Sequence, residues 1–229
     1  MKRRLLALLG AAALTGCGVT SHGKGEARLW ITRDRGREVV LVKKVDAGQT
    51  AMAALQDVAH VKTRYGGRFV QSIDGVSGSL SKRRDWFYFV NGYEADRSAA
   101  DYELHDGDVE WWDYRSWQGS AMHVPVVVGA FPEPFLHGYD GKSRKATIVF
   151  DSPDLRGVAE GLGRMIHAQK VSQDDLGDAN VLFLTRADVP FSAQAKGAGE
   201  PARFVIGPSA ARRLIRDPKL VRFRYTGLP

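Results

Sequence analysis

Two stretches near the middle of the chain limit its folding more than any others: residues 85–92, DWFYFVNG, and residues 104–114, LHDGDVEWWDY. Successive side chains of an extended chain point to opposite faces. Trp86, Tyr88 and Val90 therefore share one face and Phe87 and Phe89 the other, and neither face is polar. In the second stretch Val109, Trp111 and Asp113 oppose Glu110, Trp112 and Tyr114. Strands that are apolar on both sides belong in the middle of a sheet with both faces covered. One short helix covers one face only, so the aromatics of the other need a second cover or a partner. They read either as the core of a small sheet or as an exposed patch for a ligand or protein.

Local signals around these strands are strong. Residues 38–46, EVVLVKKVD, form a β-branched run that reads as a strand. Thr50 is placed to cap a helix over 51–59, AMAALQDVA. Residues 62–78 give two extended runs about a Gly66-Gly67 turn. Asn91-Gly92 and Asp106-Gly107 supply residues that tolerate positive φ, as tight turns require. Asp106 and Asp108 alone lack the further oxygens of a Ca²⁺ loop, so turn chemistry is the reading and no metal site is expected. One helix among several strands, without strand–helix–strand alternation, predicts an α+β arrangement for residues 28–118.

A second block, residues 124–229, reads as a small α/β domain of no recognised family. It offers strands at KATIVFD, NVLFLTR and ARFVIG, a helix from a Ser152 cap with Pro153 at its first position, a short helix after Pro208, and a last strand at LVRFRY.

The beginning of the chain addresses location. MKRR precedes the apolar LLALLGAAAL, the pattern of a secretory signal too short to span a bilayer. Residues 14–17, LTGC, resemble the bacterial lipobox, which implies a signal over 1–17, diacylation of Cys17 and a flexible tether over 18–27. Cys17 is the only cysteine, so no intramolecular disulfide forms. Two acyl chains, at about 0.8 kcal/mol per buried CH₂, hold a protein stably on a bilayer. The expected location is the extracytoplasmic face of the cell membrane. The formal charge of +7 falls to +4 once Lys2, Arg3 and Arg4 leave with the signal, which is no nucleic-acid footprint. Basic clusters at 81–85 and 211–216 read as solvated faces that can also touch anionic lipid.

Trp86, Tyr88, Val90, Asn91 and Gly92, then Leu104, Asp106, Gly107 and Asp108, then Val109, Glu110, Trp111 and Tyr114 follow a known pattern. The segment over about residues 39–117 resembles the DUF4430 domain, a β-grasp module similar to the C-terminal domain of transcobalamin and intrinsic factor. The phrase TAMAAL at 50–55 fits that family's opening helix. The resemblance implies a β-grasp sheet and, in a lipoprotein, a surface receptor or accessory protein of an uptake system, with a corrinoid as one candidate ligand. The chain departs from the vitamin carriers in having no helical barrel before the module. Trp86, Tyr88, Tyr93, Tyr102, Trp111 and Trp112, with the loop 93–102, are the expected ligand surface.

No Gly-x-Ser-x-Gly, His-Glu-x-x-His or Walker-type motif occurs, and the six histidines are scattered. No enzyme activity and no cofactor are therefore expected. The first expectation is a membrane-anchored lipoprotein that captures a small molecule and hands it to a membrane transporter. The alternative is a cell-surface module for protein–protein contact.

Overall fold

The computed structural model describes residues 25–118 and 122–227. Cys17, the leader over 1–17 and the tether up to residue 24 lie outside the described residues.

The first sheet has five strands in the order β2-β1-β8-β6-β7. They are β1 (Glu26–Arg33), β2 (Glu38–Asp46), β6 (Arg84–Val90), β7 (Tyr93–Glu94) and β8 (Val109–Ser116). β1 runs parallel to β8 and the other pairs are antiparallel. Helix α1 (Ala51–Val58) begins at the expected cap, where Thr50 Oγ1 accepts the Ala53 N–H at 3.1 Å. It buries Ala51, Met52, Ala54 and Leu55. A small sheet of β3 (Val61–Arg64), β4 (Phe69–Ile73) and β5 (Val76–Ser77) follows. Sheets with few helices make this an α+β fold, as the sequence predicts.

Three expectations change, one of them at Ser152 below. Residues 26 and 27 are not tether: Glu26 opens β1, its N–H bonded to Asp106 Oδ1 at 2.8 Å, and Ala27 is fully buried. The charged Glu26, Arg28 and Arg33 mask the alternation of Ala27, Leu29 and Ile31 in the sequence. Residues 218–223 form turns rather than a final strand. Their backbone packs against residues 128–129 instead, with Phe223 N–H on Gly129 O at 3.3 Å and Val128 N–H on Tyr225 O at 3.3 Å.

Both expected turns form, with φ of 50° at Asn91, 86° at Gly92 and 83° at Gly107. The buried Asn91 also cross-links the strands. Its Oδ1 accepts Val109 N–H at 2.8 Å, and its Nδ2 donates to Asp108 Oδ1 at 2.6 Å and to Gly138 O at 3.1 Å. Asp108 takes His105 N–H at 2.8 Å as well. The DGD carboxylates are thus engaged in turns.

After a one-turn helix α2 (Glu133–Leu136), the C-terminal part builds a four-stranded sheet in the order β11-β12-β10-β9. Its strands are β9 (Ala146–Phe150), β10 (Asn180–Leu184), β11 (Ser192–Gln194) and β12 (Arg203–Ile206). β9, β10 and β12 are parallel and β11 is antiparallel. Helix α3 (Arg156–Met165) packs on β9, and α4 (Pro208–Arg216) packs on α3. Ser152 does not cap α3: a single 3₁₀ turn, Pro153–Leu155, intervenes, and the Ser152 hydroxyl bonds Asp154.

Burial is continuous between the two parts. One cluster runs from Leu29, Leu55 and Trp112 through Phe131 and Phe135 to Leu182 and Phe204. Asn180, fully buried, donates to Pro134 O at 2.8 Å and receives the Tyr93 hydroxyl at 3.4 Å.

Candidate functional site

Pairing of β6 with β8 sets Trp86 opposite Tyr114, Tyr88 opposite Trp112 and Phe89 opposite Trp111. The period-2 reading thereby becomes two aromatic layers with different covers.

The layer of Trp30, Phe89, Val109 and Trp111 is sealed by Val127, Ala130 and Tyr225, with Phe223 against its edge. Trp30 stands edge-on to Trp111 at 6.0 Å and to Phe223 at 4.8 Å. A polar chain closes it: Trp111 Nε1 donates to Thr32 Oγ1 at 2.7 Å, which donates to Asp113 Oδ1 at 2.6 Å. Asp113 Oδ2 accepts the Tyr225 hydroxyl at 2.9 Å and Arg35 N–H at 3.1 Å, and Gly36 N–H donates to Oδ1 at 3.2 Å. A buried carboxylate needs such a set of donors. Gly36, at φ 75°, lets the C-terminal segment close down, since a Cβ there would stand 1.6 Å from Phe223 O.

The opposite layer stays partly open. Tyr88 stacks on Trp112 with centroids 4.8 Å apart and planes at 18°, and Trp86 tilts on Tyr114 at 5.2 Å. Beside them lies a cleft of about 200 Å³, walled by Trp86, Tyr88, Trp112, Met52, Phe69 and the loop 94–99. Hydrogen bonds hold the loop. Tyr88 donates to Arg97 O at 2.6 Å, Ser98 Oγ donates to Arg68 O at 2.6 Å, and Met52 N–H donates to Ala99 O at 2.9 Å.

Arg68 and Arg97 are among the residues that line the cleft. Arg68 grips Asp101 with both arms, and Arg97 bonds Asp96 at 2.8 Å and Asp140 at 3.4 Å. The Arg97 bond holds the Asp96 carboxyl below its ordinary range. Burial pushes the Tyr88 phenol well up, so it remains a neutral donor. Beneath Trp112, whose Nε1 donates to Glu110 Oε1 at 2.5 Å, the Glu110 carboxyl is fully buried and burial raises it far above its usual value. Its Oε2 has no partner among the described residues. The lining offers aromatic contact surface beside two cationic residues.

Of the six aromatics named from sequence, the structure brings together Trp86, Tyr88 and Trp112. Trp111 is on the sealed layer and fully buried. Tyr102 receives Asp140 N–H at 2.8 Å and Tyr93 faces Asn180, both inside the core. Burial pushes Tyr102 up and Tyr93 up to about 12. The sequence reading missed Met52, Arg68 and Phe69. The phrase TAMAAL and the run after Gly66-Gly67 place them on α1 and β4, yet nothing local shows that these elements fold over β6. Of the loop 93–102, only residues 94, 95 and 97–99 line the cleft.

Arg97 is shared with a second cavity of about 430 Å³ among the loops, lined by Asp96, Tyr139, Lys142, Arg144 and Glu200. Among the described residues no three His, Cys, Asp or Glu side chains gather to hold a metal ion.

The aromatic strands, their turns and α1 match a family model described as "Domain of unknown function (DUF4430)" over residues 48–116. β1, β2 and the C-terminal sheet lie outside this DUF4430 segment. No curated protein matches the chain. Among solved structures, a candidate metal-binding protein from Ruminococcus gnavus ATCC 29149 is similar at 16% identity and a TM-score of 0.34, over 40% of this chain and 97% of that one. Haptocorrin in complex with Cbi is similar at 14% identity and a TM-score of 0.32, over 40% of this chain and 26% of its own.

Proposed function

We propose that the protein is a membrane-anchored, extracytoplasmic binding lipoprotein that captures a small molecule for an uptake system. The observation that carries this reading is the preformed cleft of Trp86, Tyr88 and Trp112 in the DUF4430 domain, with Arg68 and Arg97 among its lining residues. Small-molecule sites combine an apolar lining with a few placed polar groups, and they favour boundaries between structural units. The cleft supplies the first and the neighbouring cavity, sharing Arg97, the second. A ligand with a flat apolar part and an anionic or carbonyl group directed at Arg97 fits this pair. At about 200 Å³ the cleft holds a ring or an edge, smaller than the roughly 300–1,000 Å³ of whole drug-sized sites. The resemblance to the vitamin-carrier module makes a corrinoid the first compound to test, with one edge of its macrocycle in the cleft. Anchoring rests on Cys17 and the leader before it.

The test is tryptophan fluorescence of the chain from Gly25 onward, which holds every described element, titrated with cobalamin and related corrinoids. Saturable quenching that Tyr88→Ala abolishes in a folded variant supports capture; its absence removes corrinoids. Anchoring has its own test. Wild-type protein is expected in the membrane fraction and Cys17→Ser in the soluble one, and equal partition of the two contradicts the anchor.

One feature favours a second reading, a protein-contact module. Leu80 and Tyr65 are 83% and 78% exposed and line, with Phe69, a pocket of about 240 Å³. Cross-links on intact cells that Leu80→Ser removes support that reading.

A further inference from the structure

A separate cavity lies in the C-terminal part, away from the aromatic cleft, and nothing above gives it a role. It is a groove of about 950 Å³ between α3 and the outer edge of β9. β9 is the last strand of its sheet, and its pairing with β10 uses alternate residues. Asn180 N–H donates to Lys145 O at 2.9 Å and Asp151 N–H to Leu184 O at 3.3 Å, so odd-numbered residues face β10. Even-numbered residues face outward, as the bond from Gln169 N–H to Ala146 O at 2.9 Å shows. The N–H and C=O groups of Ile148 and Phe150 point into the groove, and none has a backbone partner among the described residues.

The other wall is one stripe of α3. Arg156, Ala159, Glu160, Gly163 and Arg164 recur at helical spacing and line the groove. Ala159 and Gly163 keep its floor low. A Cβ at Gly163 would meet only Ala168 at 3.5 Å and Ile148 at 3.9 Å. Arg156, Arg164, His167 and Lys170 are exposed along the rim, and Glu160 is the one carboxylate among the lining residues.

An open strand edge beside a groove accepts an extended chain as a further strand, with main-chain bonds for affinity and side-chain pockets for specificity. We propose that β9 and α3 bind an extended acidic peptide segment of a partner protein, which adds to the sheet as a fifth strand. Ile148 and Phe150 supply the main-chain bonds. The apolar floor takes alternate side chains of the peptide, and Arg156, Arg164 and Lys170 pair with its carboxylates. The proposal rests on the C-terminal sheet alone and stands independently of ligand capture by the DUF4430 domain.

The probe is a fluorescein-labelled ten-residue peptide of alternating Val and Glu, followed by fluorescence anisotropy. Saturable binding is expected that weakens with added salt, while the matching Val/Lys peptide does not bind. The double variant Arg156→Glu/Arg164→Glu, at exposed positions that carry no core packing, should bind at least about tenfold more weakly. Strand addition is tested without touching the fold by N-methylating every second residue of the probe. Methylation in one register should abolish binding and in the other should preserve it. Exchange of the Ile148 and Phe150 amide protons should slow on binding. Absence of saturable binding, equal binding of the Val/Lys peptide, or indifference to the charge reversals overturns the proposal. Binding unaffected by methylation in both registers overturns strand addition.

Discussion

The two faces of the β6–β8 pair carry similar aromatics and meet different fates. Phe89 and Trp111 lie under Tyr225 and Val127 with every polar atom of the Trp111–Thr32–Asp113–Tyr225 chain bonded. Tyr88 and Trp112 stack beside a cleft that α1, β4 and the loop 94–99 surround without filling. Residue type does not separate structural from available aromatics here. The cover does, and for the sealed face it arrives from a segment more than a hundred residues away in sequence.

The strongest way to break this comparison is Trp111→Ala. Removing a fully buried indole from the sealed layer should cost about 3–5 kcal/mol in urea unfolding, a loss that repacking recovers only partly. A cost below about 1 kcal/mol would mean that the layer is not sealed.

Tyr88→Ala, on the half-buried side, should cost less, about 1–2 kcal/mol, because part of the ring already meets solvent. It should nevertheless remove ligand-induced quenching, whereas Trp111→Phe should retain it. Reversal of that order would place the site on the other face.

Tyr225→Phe keeps the ring and deletes one hydrogen bond to Asp113, which should cost about 1 kcal/mol in thermal unfolding.

The last prediction is a slope rather than an offset. Burial raises the Glu110 carboxyl above its unfolded value. Its contribution to stability is therefore complete below the ordinary carboxylate range and is lost as pH rises through the raised folded value. Glu110→Gln should flatten that part of the stability–pH profile. Asp96, held low by Arg97, works with opposite sign, its contribution present above the ordinary Asp value and lost as pH falls through the lowered folded one. Glu110→Gln and Asp96→Asn profiles that depart from the wild type in the same direction would contradict the burial assigned to Glu110.

Much of the local architecture was legible in the sequence because it is local chemistry. Thr50 caps three residues ahead, Asn91-Gly92 takes positive φ, and the alternation through residues 86–90 gives the two faces directly. The sites of closure were not legible. LVRFRY alternates like a strand, yet its aromatic side chains serve as a lid and its backbone bonds to residues 128–129. β1 was hidden by its charges although it is the strand between β2 and β8. Five of the six aromatics expected at the site are core, Trp86 and Trp112 beside the cleft among them, and Tyr93, Tyr102 and Trp111 bond Asn180, Asp140 and Thr32, which come from elements that no spacing rule connects to them.

The most direct test of the central claim is chemical-shift mapping of the isotope-labelled chain with a mixture of small planar carboxylates. The account predicts perturbations gathered on residues 68–70, 86–88 and 94–99, with Thr32, Trp111 and Tyr225 unmoved. Perturbations confined to the sealed layer, or none within the cleft, would contradict it.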